Sequence, residues 1–367
     1  MSASGIERVV HLDTGREWRG GQAQVSLLMQ GLARRGIANL LLAPEGPLLN
    51  RARDQGHATL AWDPRGDLDL PAALTSHRAI REWNPDVAHA HTARAHAIGV
   101  PAARLARVPA VVVSRRVAMP IRGGLAGLKY RMAVDRYLCV SRGVMEAMVR
   151  GGVPRERLVL VPSGIGPAPS SALDLRSMLE LPAEALLIGT SAALTAEKRH
   201  SDLLEAFARV APAVSAAHMV WFGEGPLRAA LERQIQGLGL EDRVHLLGFR
   251  EDARALIAQC TIAALASDSE GIATTLIEAQ DAGVPAVATA VGGVPEVVQE
   301  GLTGRLVPPR DPRSFAEALT DLLGAPEKRA AMGEAARRSA QQFHIDRTVE
   351  RTLDAYRSAL AEARSNA

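Results

Sequence analysis

Short β-branched apolar runs alternate along the first 160 residues with stretches in which apolar positions recur every three and four. The runs 8–12, 38–43, 58–61, 86–90, 110–113, 136–140 and 158–161 predict strands. Between them, stretches such as 24–35 and 141–150 predict amphipathic helices. Strands that alternate with helices imply a parallel, doubly wound sheet. Residues 162–182 break the rhythm, with Pro162, Pro167 and Pro169 among Gly and Ser, and read as a linker and hinge. The cycle then restarts with 186–192, 217–222, 243–247, 261–265, 285–288 and 304–307, and long helices close the chain from 312 onward. The fold class is α/β, with domains expected at 1–165 and 172–345.

A length of 367 residues suits two domains of ordinary size. With 47% apolar and 23% charged residues there is ample core material, but at 3% aromatics the packing leans on Leu, Val and Ala. Lys occurs only at 129, 198 and 328, so Lys198 is a less random observation than usual. Cys139 and Cys260 sit in apolar strand-like runs and read as buried thiols, with no disulfide or metal pair. No basic-then-apolar leader opens the chain and no apolar run approaches the ~20 residues that span a bilayer, so a cytoplasmic location is expected.

Net charge is +3 but uneven: residues 100–160 hold twelve Arg/Lys against Asp135, Glu146 and Glu156, a net +9. That patch lacks base-stacking aromatics, which disfavours nucleic acid. An anionic lipid surface or a phosphorylated glycolipid fits better, through residues 115–136. There Arg122, Lys129 and Arg131 flank Leu125, Leu128 and Met132, whose spacing gives a helix one apolar face. Attachment to the inner face of the plasma membrane is the corresponding expectation.

The chemistry concentrates at Glu270-Gly271-Ile272-Ala273-Thr274-Thr275-Leu276-Ile277-Glu278. Glu270 lies in a Ser/Asp/Gly loop, and Glu278 is expected two turns into an apolar-periodic helix. The N–H groups of Ala273, Thr274 and Thr275 lie between them at a helix start that favours an anion. A phosphate flanked by hydroxyls, as in a nucleotide sugar, matches that layout. A carboxylate pair alone would also suit a solvated helix start. The following block, Gly283-Val284-Pro285 then Gly292-Gly293-Val294-Pro295-Glu296, shifts the weight, because a strand ending in a Gly-Gly turn that opens a helix belongs at the carboxyl edge of a parallel sheet.

Together with Arg19-Gly20-Gly21-Gln22, Asp86-Val87-Ala88-His89-Ala90-His91, Val161-Pro162-Ser163-Gly164-Ile165, Glu197-Lys198, Phe222-Gly223-Glu224-Gly225-Pro226 and Leu247-Gly248-Phe249, these blocks resemble the retaining glycosyltransferases of family 4. The resemblance covers nearly the whole chain. It implies the GT-B architecture: two facing Rossmann-like domains with an interdomain cleft, and a final helix, from about 346 to 367, crossing back onto the first domain. The first domain would take a glycan or glycolipid acceptor and the second the nucleotide-sugar donor, with retention of configuration. No cofactor and no metal are expected. Envelope polysaccharide or lipopolysaccharide assembly in bacteria is the commonest context of such proteins.

Site roles follow from the resemblance. Lys198 would neutralise the leaving diphosphate and Glu278 would hold the ribose. Phe249 and Arg250 would meet the base, with Gly223 and Gly271 lining the same pocket. Glu270 would bind donor-sugar hydroxyls and steady the developing cation, and Gly20 and Gly21 would approach the sugar or distal phosphate. Two departures stand out. Ala193 replaces an Arg usual five residues before the Lys, and Val113-Ser114-Arg115-Arg116-Val117 lacks a His usual after the fifth strand. Arg115 and Arg116 offer cations for phosphate or an acidic acceptor instead, and His91 is the remaining His at a strand's carboxyl end. His89 and His91 could be a packed pair; with no further His or Cys at ligand spacing, metal ligation is not expected. Asp67-Leu68-Asp69 reads as a turn and helix cap. Arg19 to Gln24 lacks the order of a dinucleotide fingerprint, which argues against an oxidoreductase. A nucleotide-sugar epimerase of the same architecture, or a degenerate binding protein, are the remaining alternatives.

Overall fold

Strands wholly buried along their length need cover on both faces, which a parallel sheet wrapped by helices supplies. Val87–Ala90, Ala217–Phe222, Ile262–Leu265 and Ala286–Thr289 are buried at every position. The computed structural model describes residues 5–118, 121, 127, 130, 134–167 and 173–365. The chain divides into two compact units, Met1–Gly166 with Phe343–Ala367, and Pro167–Gln342. Arg122, Leu125, Leu128, Lys129, Arg131 and Met132, the residues of the expected membrane-facing helix, lie outside the described residues.

The first unit holds a parallel sheet of seven strands: β1 Arg8–Leu12, β2 Ala38–Ala43, β3 Ala58–Ala61, β4 Val87–Ala90, β5 Ala110–Arg115, β6 Arg136–Cys139 and β7 Leu158–Leu160. Their order is β3-β2-β1-β4-β5-β6-β7. The helix Gly20–Ala33 packs with the last helix, Ile345–Ser365, over β1, β4 and β5. Val349, Leu353, Tyr356 and Leu360 of that last helix are buried against Leu28, Leu32, Val87 and Val112. At about 1.5–3 kcal/mol for each large apolar side chain buried, these residues make the helix part of this unit's core.

The second unit holds six parallel strands: β8 Leu186–Ser191, β9 Ala217–Phe222, β10 Val244–Leu246, β11 Ile262–Leu265, β12 Ala286–Thr289 and β13 Gly304–Val307. Their order is β10-β9-β8-β11-β12-β13, around a core that includes Phe207, Trp221, Phe315 and Leu319. Both units are therefore Rossmann-like. Each has a switch in strand order, at β1/β4 and at β8/β11, outside whose carboxyl ends such sheets bind ligands.

Helix starts separate structural from open termini. Asp69, Thr92 and Ser141 each accept a backbone N–H at the start of their own helix, so Asp69 is the cap that its turn sequence suggests. Arg19 before Gly20–Ala33 and Ala273 before Thr274–Asp281 make no such cap. Gly20 and Gly21 are the first two residues of their helix, not a loop ahead of it. Cys139 and Cys260 are buried and free. Among the described residues no helix is long and apolar enough to cross a membrane.

Candidate active site

In the second unit, the loops after β8 and β11 converge through one carboxylate. Lys198 Nζ lies 2.6 Å from Glu270 Oε1, and Ser267 Oγ donates to the same oxygen at 2.7 Å. Thr289 Oγ1 in turn donates to the carbonyl of Ser267 at 2.6 Å, and the Asp268 N–H donates to Glu197 at 2.8 Å. Residues 72 apart in sequence are thus held as one constellation. Glu270 is 9% exposed, and its partners make that burial tolerable. Gly292 is needed beside it: its φ is +52°, and a methyl group there would overlap the Glu270 carbonyl oxygen. The two sequence blocks meet at that point.

The helix Thr274–Asp281 begins four residues beyond Glu270. Its first amides have no backbone acceptor among the described residues, and Thr275 Oγ1 is buried without a hydrogen-bond partner. Glu278 is the fifth residue of this helix, one turn in and not two. Burial pushes its carboxyl up to about 7; nearby Asp281 adds to that rise, while Arg254 opposes it. Arg254 is itself paired to Asp281 at 2.8 Å.

The other expected donor residues divide. Gly223 donates its N–H to Gly248 at 2.7 Å, and a side chain on it would overlap the Ala192 carbonyl oxygen. Phe249 is 56% exposed, whereas Arg250 is committed to Asp252 through two contacts at 2.8 and 2.7 Å. Arg199, the cation next to Lys198, is likewise held by Asp202 at 3.0 and 2.7 Å. Sequence reasoning missed Ser267, Thr195 and His200. Thr195 Oγ1 and both His200 ring nitrogens are buried without hydrogen-bond partners, and His200 packs edge-on against Trp221. Burial first, then Lys198, lowers His200 to about 4, so it is neutral at pH 7.

In the first unit, His91 at the end of β4 is buried rather than open to solvent. Its Nε2 lies 3.0 Å from His11 Nδ1, and His11 Nε2 lies 3.0 Å from Asn39 Oδ1. Asn39 spends its amide N–H groups on the carbonyls of Met29 and Ile37, so its oxygen accepts. His11 then carries its proton on Nε2 and accepts from His91 Nε2–H. What remains is a lone pair on His91 Nδ1, buried and without a partner. His89 is bonded to Tyr356 Oη at 2.6 Å and to Ser114 Oγ at 2.8 Å.

Contrary to the expectation from sequence spacing, a third His joins His89 and His91. His11 faces His89 across the β1–β4 pair, so a third His is supplied by a neighbouring strand, and one ligand nitrogen from each of His11, His89 and His91 lies within 4.8 Å of the others. These are the described residues that could hold an ion. Burial and the neighbouring Arg116 charge lower the basicity of His89 and His91, and that charge also opposes a bound cation.

Arg116 is lowered to about 10 by burial, with Asp13 opposing, and its Nε has no hydrogen-bond partner among the described residues. Arg115 is committed to Tyr130 Oη at 2.9 Å. Asp13 accepts from the Gly15 N–H at 2.6 Å and from Gln22 Nε2 at 3.1 Å. It sits just past β1 as His91 sits just past β4, so the carboxyl-end rule could have found it.

Two family models match, one to each half of this chain. Residues 18–168 match Glycosyltransferase Family 4 and residues 174–339 match Glycosyl transferases group 1. The chain belongs to glycosyltransferase family 4. Its curated relatives include an N-acetyl-alpha-D-glucosaminyl L-malate synthase of Bacillus anthracis, 34% identical over 45% of this chain and 43% of that protein. A D-inositol 3-phosphate glycosyltransferase of Streptomyces coelicolor is 32% identical over 59% of this chain and 51% of that one. The match thus spans about half or less of these relatives' length. Among solved structures, Anabaena HepE in complex with UDP-glucose superposes with a TM-score of 0.81 at 21% identity, covering 98% of this chain and 100% of that one. Such a likeness shows the fold, which is that of the family's two-domain GT-B members.

Proposed function

We propose that the protein transfers a sugar from a nucleotide-sugar donor to a glycan or glycolipid acceptor, with retention of configuration, in bacterial envelope polysaccharide or lipopolysaccharide assembly. One observation carries the reading: Glu270, paired to Lys198, lies four residues ahead of an uncapped helix that starts at Thr274, with Glu278 one turn in. In this reading the amides of Ala273, Thr274 and Thr275 take the diphosphate, joined by Lys198, which keeps two of its three N–H donors after serving Glu270. Glu278 accepts from the ribose hydroxyls. Glu270 accepts from the donor sugar and steadies the positive charge at its anomeric carbon. Phe249 offers its exposed ring to the base, and Gly223 and Gly271 let backbone approach.

Gly20 and Gly21 do the same for the sugar or distal phosphate. His91 Nδ1 accepts a ligand hydroxyl, and Arg116 supplies a cation. As the anomeric C–O bond to phosphate breaks, the acceptor oxygen bonds to that carbon from the same face, and its proton passes to the departing phosphate oxygen. The protein supplies position and electrostatics, with no divalent ion and no cofactor.

A thermal-shift panel of UDP-, GDP- and ADP-sugars tests the reading, because a ligand of the folded state raises its stability. One of them should stabilise the protein and, with acceptor, give a product of retained configuration; no shift with any would overturn the reading. Ala193 favours a second reading, a binding protein without turnover, which slow donor hydrolysis would exclude. The +9 segment supports peripheral attachment to an anionic leaflet. Arg122→Gln, Lys129→Gln and Arg131→Gln together should weaken binding to anionic vesicles at low salt and leave donor hydrolysis unchanged.

A further inference from the structure

We propose that the first unit carries a pocket for an anionic group, a phosphate or carboxylate, on the acceptor; this deepens the transferase reading and rests on it. An open cavity of about 620 Å³ lies just past the carboxyl end of β1. Arg16, Arg19, Arg65 and Arg94 line it, against a single carboxylate, Glu17. Its size falls in the range of small-molecule sites, roughly 300–1,000 Å³.

The guanidiniums are anchored and still have donors to spare. Asp63, which is not part of the wall, holds Arg16 at 2.8 Å, and Glu17 holds Arg19 Nε at 2.7 Å. Arg94 Nη1 donates to the Pro64 carbonyl at 3.2 Å, with Asp67 4.0 Å from its Nε. Each anchor uses one or two of the five N–H groups that an Arg carries. Arg94 Nε is buried without a hydrogen-bond partner, and the Arg65 side chain makes no hydrogen bond among the described residues.

The helix Gly20–Ala33 starts at the same wall. Arg19 is its N-cap residue without a side-chain cap, and its first turn holds no acidic residue. That helix start is left to the donor's distal phosphate, and the four cations alone face the acceptor's anion. A neutral polyol would leave these donors poorly matched, whereas an anion matches preorganised forks. The pocket is also separate in sequence from the basic 100–160 segment.

Calorimetric titration of the full chain with glycerol 3-phosphate, with glycerol as the neutral control and UDP at saturation, tests the proposal. UDP fills the donor's own phosphate site, so the remaining heat reports the pocket. Glycerol 3-phosphate should bind and glycerol should not. Arg65→Gln and Arg94→Gln, each made singly, should weaken the phosphate ester about tenfold and leave UDP affinity within about twofold. Among the described residues Arg65 bonds only through its backbone N–H, to Asp69, which Arg65→Gln keeps, so this variant remains informative if Arg94→Gln is unstable. No binding beside UDP, competition by UDP, or affinity indifferent to both substitutions would overturn the pocket. If UDP fails to bind while the ester still depends on Arg65, the donor reading falls and the pocket stands. Flotation with phosphatidylcholine vesicles doped with phosphatidylglycerol separates the sources. Arg65-dependent flotation identifies a lipid headgroup as the source, and binding of the soluble ester without flotation identifies a soluble acceptor.

Discussion

Glu278 is a carboxyl whose proton can be exchanged for a ligand. Its pKa of about 7 stands above the ordinary 4.5, so between those values the folded chain holds a proton that the unfolded chain has released. This group therefore subtracts from stability as pH rises through that window. Ribose hydroxyls stabilise the carboxylate, so nucleotide affinity should increase from about pH 6 to 8 and then level, and Glu278→Gln should flatten the profile. Affinity that falls over this range would remove the ribose assignment. Glu278→Ala should cost nucleotide binding about 1.5–3 kcal/mol, whereas Glu270→Ala should depress turnover and leave nucleotide affinity near wild type. Equal loss of nucleotide binding in both would mean that the two roles are not separate. Thr275 separates stability from binding. Its hydroxyl is buried and unpartnered in the free protein, so Thr275→Val should leave the Tm unchanged or higher while weakening nucleotide binding by about 1 kcal/mol. A large fall in Tm would show that the hydroxyl serves the fold.

At the scale of elements, the last helix is joined to the His cluster through Tyr356. Its hydroxyl meets His89 Nδ1 at 2.6 Å inside the core. Tyr356→Phe leaves that nitrogen buried without its partner, so denaturant unfolding should show a loss of about 1–3 kcal/mol. Leu353→Ala on the same helix should cost about 2–5 kcal/mol by opening a cavity. A negligible effect of both would mean that this helix is not integral to the first unit's core. The Gly292 turn is the comparable joint in the second unit. Its positive φ and its contact with the Glu270 carbonyl oxygen leave no room for a side chain, which couples the β12 turn to the β11 loop.

At the scale of the whole molecule, the proposed chemistry uses Lys198 and two open helix starts where other transferases use a divalent ion. With purified protein and a donor that stabilises it, excess EDTA should leave the rate within about twofold, under ~0.5 kcal/mol of barrier. A deep loss restored by Mn²⁺ or Mg²⁺ would overturn that mechanism. The His11, His89 and His91 cluster gives the same experiment a second readout. Inductively coupled plasma analysis of the purified chain should find no stoichiometric metal, and one zinc per chain would assign the cluster to an ion.

Periodicity alone gave the alternation of strands and helices, since a strand buried on both faces reads as an apolar run wherever it sits. The motif blocks marked the β11 and β12 loops because their Gly residues answer local backbone demands. Sequence could not reveal which side chains meet. Lys198 and Glu270 are joined by the β8–β11 pairing, and His11 enters the cluster only because β1 lies beside β4. Commitment was equally invisible: Arg115, Arg199 and Arg250 look like free cations in sequence but are held by Tyr130, Asp202 and Asp252. Burial decided the rest. A carboxyl such as Glu278 has an ordinary pKa in any peptide, and only burial set by the tertiary structure, with Asp281 adding and Arg254 opposing, moves it to about 7.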